Sequence, residues 1–221
     1  MNCQALWAGD NTYLKRDYNS KYSFLKNFTK LILSIHNSFK NEDKTELILN
    51  YLSIAREEDK LWMIYLLSGG KIKRSVSAEI LRKCAMEYTG LPVWLFDECL
   101  QRTGELAETI SLLTREPVRA SNYSLSFWIQ NIETIRSLMP DEQIVRVTEA
   151  WRMLTQKAVF VFNRLISGTI KTTVNEKLLV NALSAHTGLS KGKLAKKLTV
   201  KVHMISSSAK KKVISAGGKV L

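Results

Sequence analysis

The sequence predicts an all-α, multi-helix fold, and three observations lead there. Apolar residues recur at spacings of three and four along most of the chain. Proline stands only at 92, 117 and 140, where it can open or bound helices. No stretch shows the strict apolar–polar alternation of a half-buried strand.

Taken in order, Phe24, Phe28, Leu31, Ile32 and Ile35 define the apolar face of a first helix. A second spans about Thr45 to Ala55 and a third Glu57 to Leu67. The fourth runs from about Ser77 to Tyr88, with Ile80, Leu81 and Cys84 on one side. Pro92 suits the first position of the next helix, where its missing N–H is not needed. That helix carries Trp94, Leu95, Phe96 and Leu100, and another follows from Glu105 to Leu113. Residues 114–122 (TREPVRASN) read as a loop, and Leu125 to about Leu138 as a helix before Pro140.

The clearest periodicity comes next. Ile144, Val147, Trp151, Leu154, Ala158, Val161 and Leu165 keep one phase, which predicts a single helix of about 25 residues. Asp141 and Glu142 suit its first turn, where the helix dipole favours acids, and Gly168 suits its end. Val174, Leu178, Leu179, Ala182 and Leu183 mark a further helix, closed by Gly188, and Ser190 is placed to cap a short basic one. Trp62, Trp94, Trp128 and Trp151 fall on apolar faces and are expected in the core, whereas Trp7 has no such pattern.

The expected organisation has three parts. Residues 1–23 form a poorly patterned extension and 24–198 a helical domain. Residues 199–221 form a lysine-rich tail, expected to be disordered or to derive from a shifted reading frame.

The chain of 221 residues carries a formal net charge of +13, which points to a polyanionic partner. Residues 191–221 hold nine lysines and no Asp, Glu or Arg, so the rest of the chain carries only +4. Any grip on a polyanion by the body must therefore come from local patches. Three cysteines without a C-x-x-C pair argue against a disulfide framework. Neither a signal peptide nor a membrane-length apolar run is present, so a cytoplasmic protein without membrane attachment is expected. The three histidines are dispersed, and no metal site is expected.

Three basic loops are the candidate functional elements. Gly69-Gly70-Lys71-Ile72-Lys73-Arg74 lies between two helices, as does Ser167 to Thr173 with Gly168 and Lys171. The third is Lys191 to Lys197, with Lys191 and Lys193 at its start. Glycine lets a backbone approach a phosphate, and Lys and Arg add attraction independent of base sequence. Glycine followed by lysine also ends ordinary helices, so each loop alone has a purely structural explanation.

The blocks YLLSGGKIKR, GLPVWLFDE and GELAETI, followed later by FNRLISGTIKTTVNEKLLVNALS, resemble the N-terminal domain of bacterial ATP-dependent DNA ligases. The resemblance runs from about Phe24 to Leu198. It implies a helical domain that grips nicked duplex DNA across the minor groove, chiefly at phosphates, in replication, repair and recombination. By residue it implies DNA contacts at Lys71, Lys73 and Arg74, and at Gly168 and Lys171, with Thr173 standing where the family usually has glycine; the loop reading adds Gly70, Lys191 and Lys193 to the candidate contacts. In the family a nucleotidyltransferase domain follows, in which the lysine of a K-x-D-G motif is adenylated using ATP and Mg²⁺. This sequence contains no Asp-Gly pair, so the motif is absent. The expectation is a truncated DNA-binding part without catalytic residues or a cofactor of its own, partnered by a separate catalytic domain. The alternative is a helical protein–protein scaffold whose basic loops only end helices.

Overall fold

In the computed structural model, residues 25–170 and 172–190 are described. Every regular element among them is a helix. The ten are α1 (Leu25–Asn37), α2 (Asn41–Ile54), α3 (Glu57–Leu67), α4 (Ala78–Thr89), α5 (Val93–Thr103), α6 (Leu106–Leu113), α7 (Leu125–Arg136), α8 (Pro140–Met153), α9 (Gln156–Ile166) and α10 (Glu176–Thr187). The all-α expectation therefore holds for the described residues. Residues 1–24, Lys171 and the stretch from Lys191 onward lie outside them, and with them Phe24, the N-terminal extension, the third basic loop and the tail.

Side-chain caps account for several boundaries. Ser77, Ser124, Thr155 and Asn175 each accept a hydrogen bond from the backbone N–H three residues on, starting α4, α7, α9 and α10. Gly90, Gly104 and Gly188 end α4, α5 and α10 in the left-handed conformation. Pro92 is the residue just before α5, one position earlier than the sequence suggested. α2 begins at Asn41, about four residues before the expected start.

The single long helix expected over residues 144–165 is two helices. Leu154 leaves helical geometry (φ −108°, ψ 143°), and Thr155 caps α9 through its Oγ1, which accepts from Ala158 N at 3.4 Å. Trp151, Leu154 and Ala158 are nevertheless all buried, so the apolar phase survives the break. That is why periodicity alone could not reveal it. The break is held from outside. Glu116 Oε1 accepts from Gln156 N at 3.2 Å, and Gln156 Nε2 donates to Thr114 O at 2.7 Å.

The described residues divide into two compact units. The first contains Leu25 and residues 73–168, hence α4 to α9. α6 packs on α9, and α4 on α8. Its core is aromatic. Trp128 and Trp151 are both fully buried, Trp128 edge-on to Phe162 at 5.4 Å between centroids and Trp151 edge-on to Tyr88 at 5.8 Å. Trp151 Nε1 donates to Asn163 Oδ1 at 2.9 Å, so the indole enters the core with its polar atom satisfied. The Arg164 guanidinium forks onto both oxygens of Glu105 at 2.7 and 2.6 Å and lies over the Phe160 ring, tying α9 to the start of α6.

The second unit contains residues 26–72 and the described residues from 169 onward, hence α1 to α3 and α10. α10 packs along α2, and the core is largely aliphatic, with Ile48, Leu52, Met63, Leu67 and Leu179 buried. Phe28 meets Tyr51 edge-on at 6.3 Å.

Candidate nucleic-acid interface

Each candidate loop follows from local geometry. α3 ends at Ser68, and Gly69 then takes φ +89°, a region open to glycine and costly for residues with a Cβ. Gly70 N donates to Tyr65 O at 2.9 Å. A Cβ at Gly70 would lie 2.5 Å from that same carbonyl oxygen, so this glycine is required by the close fold-back of the chain on Tyr65. Tyr65 Oη donates to Lys71 O at 3.1 Å, which clips the loop from the other side.

Beyond that point inward and outward residues separate cleanly. Lys71 is exposed, Ile72 buried, Lys73 and Arg74 exposed, and Ser75 and Val76 buried. Ser75 is fixed on its own unit: its N–H donates to Ile166 O at 2.9 Å, and its carbonyl accepts from Gln143 Nε2 at 3.4 Å. Gln143 also donates to Ile135 O and Leu138 O, so a buried amide organises this anchor. Each cationic side chain is thus exposed beside buried neighbours of its own unit, Lys71 next to Ile72 in one, Lys73 and Arg74 next to Ser75 and Val76 in the other.

In the second loop Gly168 stands at φ +67°, its N–H donating to Leu165 O at 3.1 Å. Thr172 Oγ1 accepts from Val174 N at 3.1 Å, Val174 is buried, and Asn175 caps α10. Thr173 is exposed, and its Oγ1 accepts from Lys44 Nζ at 3.0 Å. Lys44 is a further cation at a candidate loop, one the loop sequences did not reveal. Lys171, Lys191 and Lys193 lie outside the described residues.

The expected sites divide between the units. Gly70 and Lys71 belong to the second, and Lys73, Arg74 and Gly168 to the first. One aromatic residue departs from expectation. Trp94 is 67% exposed, beside the exposed Pro92 and Val93 at the start of α5, whereas the apolar pattern had placed it in the core. The buried side chain of that helix is Phe96, and one helical face cannot hold both residues, which stand two apart. Trp62 is half-buried, against Tyr65.

Nothing in the described residues assembles a nucleophilic centre around a cysteine. Burial pushes the Cys84 thiol up to about 12, Glu87 adding to the effect, so the reactive thiolate is suppressed. No described helix is long and apolar enough to cross a membrane.

The fold and these loops define an all-helical protein of two units that displays cationic loops at the junctions between its helices. The family described as DNA ligase N terminus matches residues 23–184, and the chain belongs to it. A second similarity is of a different kind. The chain is 48% identical over 61 residues to the large ribosomal subunit protein uL15 of Coprothermobacter proteolyticus, across 26% of this chain and 41% of that protein. It therefore spans less than half the length of this curated relative.

Proposed function

We propose that this chain is the DNA-holding part of an ATP-dependent DNA ligase, gripping nicked duplex DNA through phosphates across the minor groove. Its place is then the cytoplasm, in replication, repair and recombination. The supporting observation is that Lys71, Lys73 and Arg74 are exposed beside buried Ile72, Ser75 and Val76 on a chain of the DNA ligase N-terminus family. Phosphate contacts of this type position a protein without reading bases. Lys171, Lys191 and Lys193 extend the cationic set, and Gly70 and Gly168 allow the turns that display it. The chain has no Asp-Gly pair with which to complete K-x-D-G, so ATP and Mg²⁺ chemistry belongs to a separate catalytic domain.

Binding to nicked duplex should weaken steeply with salt. For about 3–6 phosphate contacts, log affinity against log salt has a slope of about −3 to −5. Changing Lys71, Lys73, Arg74 and Lys171 together to Ala removes most of the binding, measured by fluorescence anisotropy. Unaltered binding at moderate salt would overturn this assignment and favour the scaffold alternative.

A further inference from the structure

Lys44 occupies a position that protein stability alone does not favour. It lies in the first turn of α2, where the helix dipole repels cations, and it is 8% exposed. Among the described residues it forms no ion pair, and its one hydrogen bond goes to the neutral hydroxyl of Thr173 at 3.0 Å. An ammonium has three protons to donate, and one is used among the described residues. Glu42 and Asp43 in the same turn are exposed and do not pair with it. Its hydrogen-bond partner Thr173 is exposed, so the aliphatic stem is buried while the ammonium lies at the edge of the surface.

The surroundings suit an anion. α2 has no side-chain cap, since its N-cap residue is Lys40, so the N–H groups of its first turn keep their capacity to donate. Lys44 reaches from that turn to Thr173, two residues before the α10 cap Asn175, so these two packed helices begin at the same end of the second unit. Two helix N-termini, an ammonium with spare donors among the described residues and the exposed Thr173 therefore lie at one end of the second unit.

We propose that Lys44 and Thr173 form a phosphate-binding pair that takes one phosphodiester group of the bound nucleic acid. The assignment rests on the DNA-holding function proposed above and adds a contact that lies in none of the three basic loops' lysines. Lys44 supplies the charge and Thr173 Oγ1 orients it. The Thr173 hydroxyl can donate to a phosphate oxygen while accepting from Lys44.

Two measurements test the pair. In the full chain, Lys44→Met keeps the buried aliphatic stem and removes the charge. It should weaken nicked-duplex binding about tenfold and reduce the salt slope by about 1. Thr173→Val should weaken binding only a few-fold and leave the slope unchanged. The thermal midpoint should not fall in Lys44→Met, because Met keeps the buried stem and Lys44 forms no ion pair among the described residues.

The second probe is inorganic phosphate, followed through the backbone amide signals of Thr173 and Val174. Saturable shifts in the parent chain that vanish in Lys44→Met support the pair even if duplex DNA does not bind, which would overturn the DNA function alone. Unchanged DNA affinity and slope in Lys44→Met, with no phosphate shifts in the parent, would overturn the pair and leave the DNA function standing. A lowered thermal midpoint with unaltered slope would make Lys44 a structural tether, and would also overturn it.

Discussion

The two units solve the burial of polar groups differently. In the first, the core is built from large rings; the Trp151 indole N–H finds Asn163 Oδ1 and Gln143 spends its amide on three carbonyls, although Asn163 Nδ2 and Ser121 Oγ are buried without a hydrogen-bond partner among the described residues. In the second, the core is aliphatic, yet two charged residues, Lys44 and Asp59, are buried with it. The Tyr51 hydroxyl is buried without a hydrogen-bond partner among the described residues, and burial together with the Asp59 carboxylate drives its pKa far above the ordinary phenol value. A core of interlocking rings gives rigidity. A lysine with a buried stem and spare donors among the described residues gives binding capacity. The first unit is thus the ring-packed scaffold, which also carries Lys73 and Arg74, and the second adds Lys44 to Lys71.

The sharpest test of that contrast removes a ring. Trp151→Ala deletes a fully buried indole and strands Asn163, and should cost about 3–5 kcal/mol in urea denaturation. A loss below about 1 kcal/mol would deny the first unit its role as the rigid scaffold.

Next in size is Gly70→Ala. Its Cβ would meet the Tyr65 carbonyl oxygen at 2.5 Å, backbone that cannot swing away as a side chain does. A destabilisation of about 1–3 kcal/mol is expected, with weaker DNA binding as Lys71 shifts. Normal stability with reduced DNA affinity would instead give Gly70 a direct part in the phosphate approach.

The smallest expected effect is at Trp94. Because the ring is 67% exposed, Trp94→Ala should change stability by less than about 0.5 kcal/mol. A loss comparable to that at Trp151 would mean that the ring is covered in the folded protein, and would blur the distinction between exposed and scaffold aromatics in the first unit.

Part of the candidate site was legible in the chain itself. Lys71, Lys73 and Arg74 stand beside a glycine pair between two helices, and charge in such a loop must face water. The alternating exposure of these residues was not legible, because it depends on Ser75 bonding to Ile166, about ninety residues on. Lys44 was missed for a related reason. Within NEDKTELIL it looks like one more solvated charge, although it stands one turn before Ile48 and two before Tyr51 and Leu52, on the buried stripe of α2. A lysine in phase with an apolar stripe was the signal available.

What the sequence by itself determined is the helical character of the protein and, through its blocks of shared residues, its family. Both rest on local information: spacing along one helix, caps such as Ser77 and Asn175, and short motifs such as GLPVWLFDE. What only the tertiary structure decided is where a helix stops when its apolar phase continues, which of Trp94 and Phe96 enters the core, and that Lys44 is buried against Thr173. Those outcomes depend on partners distant in the chain, such as Glu116 at the α8–α9 break. Burial is a property of the packed neighbours, which no single helical repeat encodes.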